Sequence, residues 1–168
     1  MNYNNVENKI EKIIFKTETS QILDKVIDIL YKSFDKYNWI GIYIICGNDL
    51  ILGPWKGQKA TKHTKIPVGK GVCGSAAKSG KTEIVPYVNK DDRYLACFVT
   101  TKSEIVVPIK KNGMVIGEID IDSETSNAFD EEDVNFLEKI CAKKTFINMV
   151  IKERSNLKKM SKKNVSNG

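Results

Sequence analysis

Two cysteines stand in unlike settings. Cys73 lies in the glycine-rich run Ile66-Pro-Val-Gly-Lys-Gly-Val-Cys-Gly74, and Cys97 ends Tyr94-Leu-Ala-Cys97. Downstream, the strand-like segments Ser103-Glu-Ile-Val-Val-Pro-Ile109 and Val115-Ile-Gly-Glu-Ile-Asp-Ile-Asp122 each place carboxylates in an otherwise apolar run. A carboxylate on a buried strand is costly unless paired or used, and thiols beside such groups point to thiol chemistry that needs a proton donor. Cys73 falls in the first turn of a short predicted helix, where backbone N–H groups and the positive end of the helix dipole favour a thiolate. Cys97 falls in a long polar connection, residues 86–102, near Arg93 in sequence, with the access a nucleophile needs. Cys46 closes an apolar strand and Cys141 lies on a helix stripe; both read as packing residues.

Asp120 and Asp122 are two apart on a strand, so they share a face, and Glu118 falls in the same alternation while Ile119 and Ile121 point the other way. Two readings stay open: a solvated outer face, or an acid set gathered for use. Glu104 is likewise either a strand-entry residue or a member of that set. With no Cys-x-x-Cys and a single histidine, His63, neither a metal site nor a histidine-based triad is expected. Gly69-Lys-Gly71-Val-Cys-Gly74 matches a dinucleotide fingerprint in letters, but Pro67 interrupts the preceding segment and Gly80 stops the helix within two turns. Gly74 to Thr82 has the wrong glycine spacing for a phosphate loop and runs into a strand where that loop needs a helix.

The elements that must carry these residues follow from periodicity. Ile10, Ile13 and Ile14, then Ile22, Val26, Ile29 and Leu30 beyond Thr17–Ser20, give helical faces. Trp39–Cys46 and Leu50–Trp55 flank a Gly47-Asn48-Asp49 turn; Glu104–Lys110 and Met114–Asp122 flank Lys111-Asn112-Gly113. A short helix from Val72 stops before Gly80, and a short strand covers Glu83–Val85. Asp130 with Asp133 marks a helix start, Phe129 and Val134 fit a hydrophobic staple, and Val134, Leu137, Ile140, Cys141, Ile147 and Ile151 mark the buried stripe of one last helix. This order describes an α+β domain, an antiparallel sheet with helices packed on it.

The 168 residues, 41% hydrophobic, suit a single domain, expected over residues 1–151. The net charge of +6 is uneven: residues 152–168 carry six Lys or Arg against Glu153, leaving a nearly neutral domain. That segment reads as a basic, disordered tail that aids solubility rather than as a nucleic-acid surface. No signal-peptide or membrane-span pattern appears, and four cysteines without an export signal suit a reducing, cytoplasmic setting in which no disulfide framework is expected.

Ile66-x-x-Gly69-x-Gly71-x-x-Gly74 with Gly80 resembles the GAF-domain signature. Asn38-Trp39-Ile-Gly, Leu52-Gly-Pro, Gly-Val-Cys73-Gly, Ala96-Cys97, Ser103-Glu-Ile-Val-Val-Pro and Ile-Asp120-Ile-Asp122-Ser, in this order, resemble the free methionine-(R)-sulfoxide reductases from about residue 35 to 140. The resemblance implies reduction of free methionine sulfoxide, with Cys97 as the attacking cysteine, Cys73 as a second cysteine and Glu104 and Asp122 as proton donors. It further implies Trp39 and Tyr43 as walls for the substrate's methyl group and Asp120 as a substrate-binding group. No cofactor is implied beyond an external dithiol such as thioredoxin, and a homodimer is expected. Many relatives carry a third, resolving cysteine after the Gly-Pro strand; here Lys59-Ala-Thr-Lys-His-Thr-Lys-Ile66 has none, so the resolving role falls to Cys73 or to an external thiol. The rival readings are a non-catalytic GAF sensor or dimerisation module, and a polyanion-binding protein acting through the basic tail.

Overall fold

The computed structural model describes residues 2–16 and 21–166. The elements run α1 (Tyr3–Lys16), α2 (Ile22–Ser33), β1 (Trp39–Cys46), β2 (Asp49–Gly57), β3 (Lys65–Pro67), α3 (Gly71–Ser79), β4 (Glu83–Val85), a 3₁₀ turn at Val88–Lys90, β5 (Ser103–Lys111), β6 (Met114–Ser123), α4 (Glu131–Cys141) and α5 (Lys144–Ser166). The expected break at Thr17–Ser20 lies outside the described residues. Six strands form one sheet in the order β3-β2-β1-β6-β5-β4, every neighbouring pair antiparallel. The second hairpin turns at Asn112 and Gly113, both with positive φ (51° and 80°), the geometry that matches the twist of the strands it joins.

Alternation along the central strands divides the molecule into two layers. Ile40, Ile42, Ile44, Ile105, Val107, Ile109, Ile119 and Ile121 face a core shared with α1, α2, α4 and α5. On the opposite face, Trp39, Tyr43 and Val106 meet Val72, Cys73, Ala76 and Ala77 of α3 and Val88 of the long connection. The sheet is therefore covered on both sides, and the α+β architecture stands.

α4 starts as its sequence requires: Asp130 accepts from the amides of Glu132 and Asp133 at 2.9 and 3.2 Å, and Asp133 accepts from the Asp130 amide at 3.0 Å. Two expectations are corrected at this end. The last helix is two helices, separated at Ala142 and Lys143, so its stripe is shared between α4 and α5. The basic segment expected to be disordered is helical through Ser166 and continues past residue 151 without a break. No Gly or Pro interrupts residues 144–166, and Ile147, Met149, Ile151 and Leu157 pack on the core, so burial of an apolar stripe draws the basic stretch into the helix. No helix among the described residues is long and apolar enough to cross a membrane.

Candidate active site

The register of the three central strands sets the site. Trp39 on β1 pairs with Asp122 on β6, which pairs with Glu104 on β5; Gly41 pairs with Asp120, which pairs with Val106; Tyr43 pairs with Glu118, which pairs with Pro108. Because β6 side chains alternate, Glu118, Asp120 and Asp122 stand in line on the face covered by α3 and the long connection. All are buried: Glu118 is 0%, Asp120 2%, Asp122 3% and Glu104 5% exposed. The solvated-face reading is overturned, since what covers these acids comes from elsewhere in the chain.

Most oxygens of these acids lack donors. Both oxygens of Glu118 and of Asp122, Oε2 of Glu104 and Oδ1 of Asp120 have no hydrogen-bond donor. Burial is the first cause holding every one of these carboxyls above its ordinary range, and Asp120 is the second for the other three. Asp120 itself is pushed up to about 7, with the Cys73 thiol and the Glu104 carboxyl acting in the opposite direction as hydrogen-bond partners. Glu104, Glu118 and Asp122 keep their protons around Asp120, the acid of the four that ionises first.

Cys73 is the third residue of α3 and points into this cluster. It is 5% exposed, and its thiol lies 3.8 Å from Glu104 Oε1. Burial raises its pKa well above the ordinary value, and Asp120, Glu118 and Glu104 add to the shift. The expectation that its helix-start position would favour a thiolate is therefore corrected: desolvation and three acids outweigh the dipole. Ligand atoms of Cys73, Glu104 and Asp120 all lie within 4.8 Å of one another. That spacing would also admit a divalent ion, which would have to displace the protons that keep these groups neutral.

Cys97 sits half-buried on the 86–102 connection, and all four cysteines are free thiols. Burial, then Asp120 and Asp122, raise its pKa, while the Thr61 hydroxyl acts to lower it. Arg93, near Cys97 in sequence, is engaged by Asp91 at 2.8 Å and by Glu83 at 3.1 Å. Cys46 and Cys141 pack with the helix-side core.

Aromatic rings wall the site. The Trp39 indole lies over Gly41 and Gly57, where a Cβ on either glycine would overlap the ring. Trp39 stacks on Trp55 with centroids 6.3 Å apart and is tilted against Phe98 at 6.1 Å and Tyr43 at 6.5 Å. Its Nε1 is buried without a partner. A cavity of about 190 Å³ beside it is lined by Trp39, Phe98, Thr101 and Asp122, with Lys59 and Glu124 also on its wall. Tyr43 is fully buried, and its hydroxyl donates to the His63 carbonyl at 2.6 Å.

The structure thus gathers Cys73, Glu104, Asp120, Asp122, Trp39 and Tyr43 on one sheet face, with Cys97 near enough to the acids to feel their charge. Glu118, Thr61, Thr101 and Phe98 join them. Glu118 was visible in the strand alternation, whereas Thr61 carries no signal in a polar stretch, because only the folded chain brings it to Cys97.

Residues 18–143 match the GAF domain family. The free methionine-R-sulfoxide reductase of Saccharomyces cerevisiae is 50% identical over 107 residues, 61% of this chain and 58% of the yeast protein. The Escherichia coli protein of the same name is 36% identical over 114 residues, 68% of each chain. The X-ray structure of the Neisseria meningitidis free methionine-R-sulfoxide reductase in complex with its substrate superposes with a TM-score of 0.80 at 32% identity, covering 92% of this chain and 90% of that one. With its GAF fold and these relatives, the chain belongs to the free methionine-(R)-sulfoxide reductase family of GAF-domain proteins.

Proposed function

We propose that this protein reduces free L-methionine-(R)-sulfoxide to methionine, with Cys97 as nucleophile. The observation that carries this reading is a thiol placed beside buried carboxyls that hold protons against an aromatic wall. Reducing a sulfoxide demands that combination: a sulfur nucleophile, a proton for the departing oxygen, and an apolar surface for the methyl group. The Cys97 thiolate attacks the sulfoxide sulfur, and Glu104 or Asp122 protonates the oxygen. The substrate S–O bond breaks as a Cys97 Sγ–O bond forms, so the cysteine sulfur is oxidised to a sulfenic acid and the sulfoxide is reduced to methionine. Trp39 and Tyr43 wall the methyl group.

The acceptor oxygens left without donors support a free amino acid as substrate. An ammonium group brings three N–H donors and a positive charge, both of which these acids lack, and Asp120 is assigned to receive it. A methionine within a polypeptide has no such group.

Cys73 is assigned as the resolving thiol. It condenses with the Cys97 sulfenic acid to form a disulfide and water, and an external dithiol of the thioredoxin type then restores both thiols. Its raised pKa requires a base as it attacks, and Asp120, pushed up to about 7, is placed to take the proton. The test is peptide mapping after substrate addition together with steady-state assays. A Cys73–Cys97 disulfide is expected, and Cys73→Ser should cycle with a small thiol but not with a dithiol protein. A stable Cys97 sulfenic acid, or only a mixed disulfide with an added thiol, would remove Cys73 from that role.

A further inference from the structure

Residues 58–64, the stretch between β2 and β3, are largely exposed, yet Thr61 within it is only 5% exposed. Its Oγ1 accepts the His63 amide at 3.1 Å, which occupies a lone pair and leaves the hydroxyl hydrogen to donate elsewhere. That hydroxyl acts on the Cys97 thiol in the direction that favours a thiolate, against burial and the acids. The segment is itself gripped from both sides: Tyr43 donates to the His63 carbonyl at 2.6 Å, and His63 Nε2 lies 3.2 Å from the carbonyl oxygen of Ala96, the residue before Cys97. This clasp ties the sheet floor, residues 61–63 and the Cys97 loop into one unit.

The need for such a unit follows from charge. Burial opposes a thiolate at Cys97 first, any charge on Asp120, Asp122 or Glu104 adds to that, and Arg93 is bound at Asp91 and Glu83. A nucleophile in that setting requires a donor at its sulfur. We propose that Thr61 is a catalytic residue whose hydroxyl donates to the Cys97 sulfur as it becomes a thiolate. In the same unit His63 is a positioning residue, its Nε2–H holding the Ala96 carbonyl so that the thiol stays within reach. This inference rests on the reading of Cys97 as nucleophile.

The experiment measures iodoacetamide alkylation of Cys97 in the reduced full-length protein at fixed pH, followed by mass spectrometry of the Cys97 peptide, beside sulfoxide turnover and a melting curve. Thr61→Val keeps the shape and removes the donor; it should alkylate roughly tenfold more slowly, the loss expected for a hydrogen bond to a charged sulfur. Thr61→Ser restores the hydroxyl and should return to within about threefold of the parent. If Thr61→Val does not fold, Thr61→Ala carries the same comparison. His63→Ala should lower both the alkylation rate and kcat by a smaller factor than Thr61→Val, and His63→Gln, with an amide donor, should recover both. A parental alkylation rate in a folded variant lacking the Thr61 hydroxyl overturns the role of Thr61, and a parental kcat in His63→Ala overturns that of His63. Alkylation needs no substrate, so the expected rates in a protein without sulfoxide turnover would uphold this inference and sink the reductase reading.

Discussion

Asp133 and Asp122 are both buried aspartates, at 0% and 3% exposure, and their surroundings are built in opposite ways. Asp133 accepts from Lys36 Nζ at 2.5 Å, from the hydroxyls of Tyr3 and Tyr37 at 3.0 and 3.2 Å, and from the Asp130 amide at 3.0 Å. It joins α1, the segment after α2 and the start of α4 through a fully paired charge. Asp122 has two oxygens without donors, with buried Glu104 opposite it on β5 and buried Asp120 raising it further. The first arrangement is scaffold. The second is poised: unpaired acids keep protons and leave acceptors open for a ligand, which is what a donor site needs and what a stable core avoids.

Substitutions at the two sites should therefore fail in different assays. The largest effect is expected at the unpaired set. Glu104→Gln or Asp122→Asn should lower kcat/KM by about 10²–10⁴ if that residue donates the proton, with stability equal to or above the parent in urea unfolding. Parental kinetics in both would return these residues to a structural role. Asp133→Ala should show the reverse. It leaves Lys36 and two tyrosines without their acceptor and should cost about 3–5 kcal/mol in unfolding free energy, while turnover per folded molecule stays unchanged.

The pH dependence of stability separates the two kinds of acid more finely. A carboxyl raised in the folded state binds its proton more tightly there, so its contribution is full at low pH and is lost as pH rises from the ordinary carboxylate range through the folded value, about 7 for Asp120. The unfolding free energy of the ligand-free protein should accordingly fall as pH rises from about 5 to 8, by up to about 1.4 kcal/mol per pH unit for each proton involved. Asp120→Asn should flatten that slope. Glu7, lowered by its bonds to Lys139 and Lys143, and Asp28, lowered by Lys32, act oppositely and lose their contribution only as pH falls below the carboxylate range. A flat profile from pH 5 to 8 would contradict the protonated state assigned to the acid set.

The smallest effects belong to the remaining cysteines. Cys46→Ala and Cys141→Ala should keep parental turnover, with about 1–2 kcal/mol of stability lost at buried Cys141 and less at half-buried Cys46. Loss of turnover in either would break the division between packing and reacting thiols.

What could be read from residues was local. The Asp130–Asp133 capping box, the Asn112-Gly113 turn and the alternation of β6 are set by neighbours a few residues apart, and each appears where the sequence puts it. Alternation put Glu118, Asp120 and Asp122 on one face but could not say that α3 and the 86–102 connection cover it. β3 was missed because three residues owe their strand to pairing with β2. Cys73 was misread electrostatically because a helix position is visible in sequence while the acids facing it across the sheet are not. The fate of the basic segment turned on the same point: its charges were legible, and the core that receives Leu157 was not.

The central claim is that Cys97 takes the oxygen from free methionine-(R)-sulfoxide. It is tested most directly by mixing the reduced protein, freed of added thiols, with the substrate, quantifying the methionine formed and mapping every cysteine by mass spectrometry. The account predicts near-stoichiometric methionine, with Cys97 oxidised and Cys46 and Cys141 still reduced. No methionine from the parent protein, or an undiminished yield from Cys97→Ser, would contradict it.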